Sequence, residues 1–140
     1  MRSNKLILIR GLPGSGKSTM AKKLAEAKDH YHLEADMYHM NDSVYDWKPE
    51  NVKASHEWCQ RNASQALVDG YNVVVSNTFT QLKELRPYLE MWANIEIIDC
   101  YGDYGNVHNV PKNSIERMKN RWISKTKVEF IEYVNKWKKL

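Results

Sequence analysis

Residues 5–19 read KLILIRGLPGSGKST. An apolar run, Leu6-Ile7-Leu8-Ile9, leads straight into a glycine-rich segment with the spacing G-x-x-x-x-G-K-S. That spacing is the signature of a phosphate-binding loop. Gly11, Gly14 and Gly16 permit backbone angles and close approaches that a side chain would forbid. Pro13, Ser15 and Thr19 complete the loop and its exit. Successive N–H groups then turn inward and form a nest for an anion. Lys17 sets a positive charge against the β- and γ-phosphates, and the Ser18 hydroxyl can ligate Mg²⁺. The helix that starts here aims its positive dipole end at the same phosphates. A confirming context is a strand before the loop and a helix after it, and residues 6–9 and 18–27 have those characters. The expectation is a binding site for ATP and Mg²⁺ built from Gly11, Pro13, Gly14, Ser15, Gly16, Lys17, Ser18 and Thr19.

Working outward, residues 31–36 (YHLEAD) read as a second strand ending in Asp36. Residues 41–49 are polar and aromatic without period and read as a loop, with Pro49 suited to the first turn of a helix. Residues 50–68 carry apolar positions at helical spacing, stopped by Asp69-Gly70. Residues 71–76 (YNVVVS) are β-branched and read as a buried parallel strand. Residues 82–92 read as a helix with a kink or break at Pro87. Residues 95–101 read as a fourth strand, 102–109 as a loop, and 111–122 and 125–139 as closing helices. Strand and helix alternate throughout. The expected fold is α/β and three-layered, with a mostly parallel sheet of about four to five strands flanked by helices. No repeat or linker divides residues 1–140, so a single domain is expected.

Composition sets outer bounds. At 140 residues with 42% hydrophobic and 27% charged residues, the chain suits a soluble globular domain. No apolar run nears the about 20 residues of a membrane span. The basic-then-apolar start is too short for a signal peptide. Two cysteines, Cys59 and Cys100, make no disulfide framework, and a cytoplasmic setting is the default. The net charge of +4 is compatible with a polyanionic partner and equally with a basic solvated face.

Phosphoryl transfer needs a cradle, a metal, a positioned acceptor and a base. Asp36, at the carboxyl edge of the sheet, is either the base that takes a proton from an attacking hydroxyl or a helix cap. Glu34 would share a strand face with Asp36, and either assists the metal or is solvated. His39 either meets a phosphate or is polar surface. Asn77 ends a strand where many such enzymes place a carboxylate, and is expected to contact metal-bound water or the γ-phosphate. Asp99, inside an apolar run, fits that role poorly. Arg117 and Arg121, one helical turn apart, are candidates for a lid that closes over the phosphates. Tyr38, Tyr45 and Trp47 either stack bases or pack a loop.

These residues also carry a resemblance. GLPGSGKST, EADMYH, SHEWCQRNASQALVDGYNVVVSNTFT, LRPYLEM and NVHNVPKNSIERMKNRW occur in that order over roughly residues 5–122. The series resembles the kinase domain of the NEDD4-binding-protein-2-like family, related to the kinase domain of phage T4 polynucleotide 5′-hydroxyl kinase. The resemblance implies a P-loop kinase using ATP and Mg²⁺. It implies that Asp36 matches the general base of an Asp-Asp-Tyr segment, with Met37 at the second aspartate and Tyr38 at the tyrosine. The arginine that meets an acceptor phosphate falls at His39. Asn77-Thr78 match an Asp/Asn-Thr pair, and the family's lid arginine falls at Gly105. Arg117 or Arg121 would then substitute for it.

The reading is a phosphotransferase acting on the 5′-hydroxyl end of DNA or RNA, with Lys17, Asp36, Arg117 and Arg121 as catalytic residues and Ser18 and Asn77 at the metal. Single-stranded nucleic-acid ends are the expected partner. The alternatives are a nucleoside, nucleotide or metabolite kinase, and an ATP-binding regulatory module with weak catalysis. The compact chain, without a phosphatase module, is expected to suit a phage or bacterial stand-alone protein.

Overall fold

The computed structural model describes residues 4–28, 30–41, 44–102 and 110–122. Four parallel strands form the main sheet: β1 (Leu6–Gly11), β2 (His30–Leu33), β5 (Asn72–Asn77) and β6 (Ile95–Cys100), in the order β2-β5-β1-β6. Two more strands, β3 (Met40–Asn41) and β4 (Val44–Tyr45), pair antiparallel as a small separate ribbon. The helices are α1 (Lys17–Lys28), α2 (Val52–Val68), α3 (Leu82–Met91) and α4 (Lys112–Asn120).

The layers follow from the connections. From β1 through α1 the chain moves to β2 on one side of the sheet. From β2 through α2 to β5, and from β5 through α3 to β6, it moves the opposite way. Right-handed crossovers in opposite directions put their helices on opposite faces. Residue alternation along β1 matches this. Leu6 and Leu8 pack with Cys59, Ala63 and Leu67 of α2 and Leu85, Tyr88 and Leu89 of α3. Ile7 and Ile9 pack with Ala21 and Leu24 of α1. Every residue of β1 is buried, which explains the apolar run Leu6–Ile9. Each such side chain contributes about 1.5–3 kcal/mol by leaving water.

The structure corrects several expected boundaries. The second strand stops at Leu33, and Ala35–His39 wind into a 3-10 turn. The turn forms because Ala35 N–H donates to the Asn77 side-chain oxygen (2.9 Å) and Met37 N–H to the Glu34 carbonyl (3.1 Å). Glu34 and Asp36 therefore do not share a strand face. The supposed loop 41–49 contains part of the ribbon β3–β4. Pro49 opens a short 3-10 turn that runs into α2. Helix α3 continues through Pro87. The proline orphans only the carbonyl of Lys83, an exposed residue in the first turn. The expected helix 125–139 and most of the loop 102–109, with Gly105, lie outside the described residues. Cys59 and Cys100 are buried free thiols. No helix among the described residues is long and apolar enough to cross a membrane.

Candidate active site

The carboxyl ends of β1, β2 and β5 open on one cleft of about 600 Å³. Open parallel sheets bind ligands at this edge, where the strand order reverses, and the volume lies within the range of small-molecule sites. Its floor is the glycine-rich loop. Gly14 and Gly16 have φ of 82° and 91°, a region costly to residues with a side chain. Gly11 needs its bareness for another reason. A β-carbon there would collide with Ser15 Oγ and stand 3.0 Å from the Cys100 carbonyl. Ser15 Oγ is itself buried without a hydrogen-bond partner among the described residues. An orphaned hydroxyl inside a ring of glycines suits an anionic guest. Gly11→Ala is expected to destabilise the fold by about 1–3 kcal/mol, the usual range for overpacking. It should also abolish the thermal shift given by ATP. An unchanged urea midpoint would mean that the loop reshapes freely.

Lys17 lies at the start of α1, with Nζ 3.5 Å from the Leu12 carbonyl. Burial lowers its pKa, and the nearby carboxylates of Glu34 and Asp36 oppose that shift. The lysine thus sits in a partly dry cleft facing two negative groups. Ser18 and Thr19 line the same cleft.

Glu34 is the functional candidate the sequence undervalued. Its side chain is only 13% exposed, and His32 Nε2 lies 3.0 Å from both Glu34 Oε1 and Ser76 Oγ. Burial pushes the Glu34 carboxyl up, but hydrogen bonds from His32, Ser18 and Ser76 outweigh it and hold the group below its ordinary value. Glu34 is therefore an ionised carboxylate beside the Ser18 hydroxyl, not a solvated one. Asn77 is also in the cleft wall, but its oxygen accepts the Ala35 N–H and its amide nitrogen approaches Cys59 Sγ at 3.9 Å. What it visibly does is brace the turn that carries Asp36.

Asp36 opens into the cleft from that turn. Tyr45 O–H donates to Asp36 Oδ1 at 3.2 Å, and burial together with that carboxylate raises the phenol pKa. Beside it stand His39, Trp47, Ser55 and His56. Burial lowers the His56 pKa, against the pull of Glu84 and Asp36, which favours a neutral imidazole.

The two lid candidates part company. Arg117 is exposed and donates to Ser114 Oγ (3.1 Å) within its own helix. Arg121, just past the end of α4, lines the cleft and donates through Nε to Thr80 Oγ1 at 3.1 Å. Fully buried Thr80 donates in turn to Glu84 Oε2 at 2.6 Å, which also accepts the Gln81 N–H. The signal for this chain was the capping pattern of Gln81 and Glu84 at the start of α3.

One residue below the loop, Arg10 is wholly buried in β1. Its Nε donates to the Phe79 carbonyl at 3.0 Å, one terminal nitrogen lies 3.6 Å from Asp99 Oδ2, and its guanidinium stacks 3.9 Å from the Trp122 ring centre. Burial lowers its pKa and Asp99 opposes the shift. Phe79 is the sole non-glycine residue with positive φ (47°) among the described residues. That angle costs a bulky residue about 1–3 kcal/mol. Edge-on packing against Tyr88 (5.5 Å) and the bond from Arg10 hold it there. Thr80, which accepts from Arg121, follows this bend directly in the chain.

A glycine loop joining the first strand and first helix of a parallel β2-β5-β1-β6 sheet defines a P-loop protein of the kinase type. The chain belongs to the AAA_33 family of AAA domains, whose profile matches residues 6–104. The likeness to NEDD4-binding protein 2 holds as well. The human protein is 34% identical over an alignment 128 positions long, which covers 81% of this chain but 7% of that much longer protein. Among solved structures, a chain of the Pnkp1/Rnl/Hen1 complex superposes with a TM-score of 0.58 at 19% identity, covering 91% of this chain and 42% of that one. A gluconokinase from Sinorhizobium meliloti 1021 superposes at 0.61 with 17% identity, covering 96% and 91%. The family and the kinase-type fold follow from these together.

Proposed function

We propose that the chain is an ATP-dependent phosphotransferase that moves the γ-phosphate of ATP to a hydroxyl, with the 5′-hydroxyl end of DNA or RNA as the favoured acceptor. The observation that carries this reading is the meeting of Lys17 and Asp36 across one cleft, a phosphate cation facing a carboxylate that can take a proton. The loop N–H groups, Lys17 and Ser15 would hold the triphosphate. Ser18 is the natural protein ligand of Mg²⁺, with Glu34 beside it to orient metal-bound water, and Mg²⁺ customarily keeps several waters and phosphate oxygens. The bound metal would neutralise charge on the transferring group. Asp36 would accept the proton of the attacking hydroxyl, with Tyr45 fixing the carboxylate. Arg121, tethered by Thr80, would stabilise charge on the phosphoryl oxygens.

The likeness to a chain of the Pnkp1/Rnl/Hen1 RNA repair complex supports the nucleic-acid acceptor. A small-molecule acceptor is the second reading, supported by the superposition on a gluconokinase. The deciding experiment is transfer of labelled γ-phosphate, with Mg²⁺, to 5′-hydroxyl DNA, 5′-hydroxyl RNA, nucleosides, nucleoside monophosphates and gluconate. Label on oligonucleotide ends supports the first reading, and label on gluconate alone would replace it. ATP binding without transfer to any acceptor would leave a regulatory module.

The arginines give a paired prediction. Arg121→Ala should lower transfer by about 10- to 100-fold, the worth of one charged hydrogen bond. Arg117→Ala should leave it within about twofold, as for an exposed side chain. Steady-state kinetics on both variants checks this, and equal losses would refute the assignment of Arg121.

A further inference from the structure

Arg121 reaches the cleft from the end of a helix that is barely held. None of the nine residues of α4 is buried. A long arginine side chain loses much rotamer freedom when it settles into one pose. Its place in the cleft therefore needs a hold from outside its own helix, and Arg10 supplies one from beneath.

Arg10 is wholly buried, one residue before the phosphate loop begins. A buried ion pair is often no more stabilising than a well-packed apolar residue in its place, so stability alone does not account for it. Its contacts do. Arg10 Nε donates to the Phe79 carbonyl at 3.0 Å, and its flat face lies 3.9 Å from the Trp122 ring centre. Phe79 directly precedes Thr80, and Trp122 directly follows Arg121. Arg121 Nε in turn donates to Thr80 Oγ1 at 3.1 Å. Residues 10, 79, 80, 121 and 122 thus close a ring, with covalent links at 79–80 and 121–122 and contacts at 10–79, 80–121 and 122–10. In a closed ring, any two contacts hold the groups of the third near each other, so the contacts strengthen one another.

The ring is backed on both sides. Asp99 Oδ2 lies 3.6 Å from an Arg10 terminal nitrogen and accepts the Tyr101 O–H at 2.8 Å, while the Tyr101 ring meets the Trp122 indole at 6.4 Å. Thr80 donates its one hydroxyl proton to Glu84 Oε2 at 2.6 Å, which leaves its oxygen lone pairs for Arg121.

We propose that Arg10 is a positioning residue for phosphoryl transfer, whose single guanidinium fixes both residues flanking the Arg121–Thr80 contact and so holds Arg121 in the cleft. The proposal rests on the phosphotransferase reading and adds what sets the pose of its charge-stabilising arginine. Arg10 does not itself line the cleft and acts through Arg121.

The test breaks the ring at Trp122, a partly buried position, and leaves Arg10 and Asp99 in place. Trp122→Leu removes the stacked face and should lower kcat by about tenfold, with the KM for ATP within about twofold. Trp122→Phe keeps an aromatic face and should stay within about threefold of the wild type. On top of Arg121→Ala, Trp122→Leu should cost less than about a further twofold, because the residue it positions is gone. Arg10→Lys keeps the charge without the flat face and should match Trp122→Leu; if it does not fold, the Trp122 variants decide. A second readout needs no transfer. Hydrogen exchange at the Arg121 Nε–H, whose NMR signal is identified by its loss in Arg121→Ala, should be about tenfold faster in Trp122→Leu and near the wild-type rate in Trp122→Phe. Losses that simply add in the double variant, a Phe variant no better than Leu, or unchanged Arg121 exchange would each overturn the proposal. Should no acceptor take phosphate, the kinase reading fails on its own, and the exchange rates still decide whether Arg10 holds Arg121.

Discussion

Asp36→Asn should lower phosphoryl transfer by about 10²–10⁴-fold, the usual worth of a positioned general base, while ATP affinity stays within about twofold because the phosphate cradle is untouched. The substitution is nearly isosteric. Asparagine keeps an oxygen for the Tyr45 hydroxyl now 3.2 Å away, and the bond that braces the turn, from the Ala35 N–H to the Asn77 side-chain oxygen, does not involve residue 36. What it loses is the capacity to take a proton. Three measurements separate the explanations. Transfer collapsing with ATP affinity and the urea midpoint preserved marks a base. Transfer and midpoint falling together mark a structural carboxylate. Unchanged transfer would remove Asp36 from the chemistry altogether.

The second large effect belongs to Lys17→Ala. Transfer should fall by about 10²–10³-fold, as when one preorganised donor to developing charge is deleted. ATP binding should weaken as well. For the wild type, ligand at 100 times its dissociation constant adds about 2.7 kcal/mol to stability, and most of that thermal shift should vanish in the variant. The stability of the unliganded protein should move the other way or not at all. Burial already works against the charged form of Lys17, and burying a charge costs free energy that its partners only partly return. Differential scanning fluorimetry with and without Mg·ATP reads both signs in one experiment. A variant that loses unliganded stability yet keeps its ATP shift would show that Lys17 is a structural residue.

These effects follow from parts of the chain that differ in how openly the sequence declares them. The phosphate loop is legible because its chemistry is local. Glycines, lysine and serine at fixed spacing act on one ligand through consecutive backbone groups. The central strands β1 and β5 are legible because parallel strands covered on both faces carry runs of apolar residues, Leu6–Ile9 and Val73–Val75. Glu34 was not legible. Its flanking residues, Leu33 and Ala35, are apolar and say nothing of its role, and the Ser18 and Ser76 that make it an ionised, shielded carboxylate come from two other elements. Arg10 was hidden in the same way, a charged residue within an apolar strand whose partners stand at Phe79, Asp99 and Trp122. Periodicity put Arg117 and Arg121 on one helix face, but only Arg121 reaches Thr80, a residue from the far side of the chain beside the bend at Phe79. The sequence also suggested a strand as far as Asp36. The turn that replaces its end is fixed by the Asn77 side chain, from a strand that arrives much later in the chain.

The burial of Arg10 has a consequence for how such sequences can drift. A guanidinium enclosed by a backbone carbonyl, a carboxylate and an indole cannot be exchanged alone. An aliphatic residue at position 10 would leave Asp99 with the Tyr101 hydroxyl but without its cation, remove the bond to the bent peptide at Phe79 and leave Trp122 without its stacking partner. Positions 10, 99 and 122 should therefore change as a set or stay as they are. The bend at 79 is inherited with them, along with the reach of the arginine next to that tryptophan.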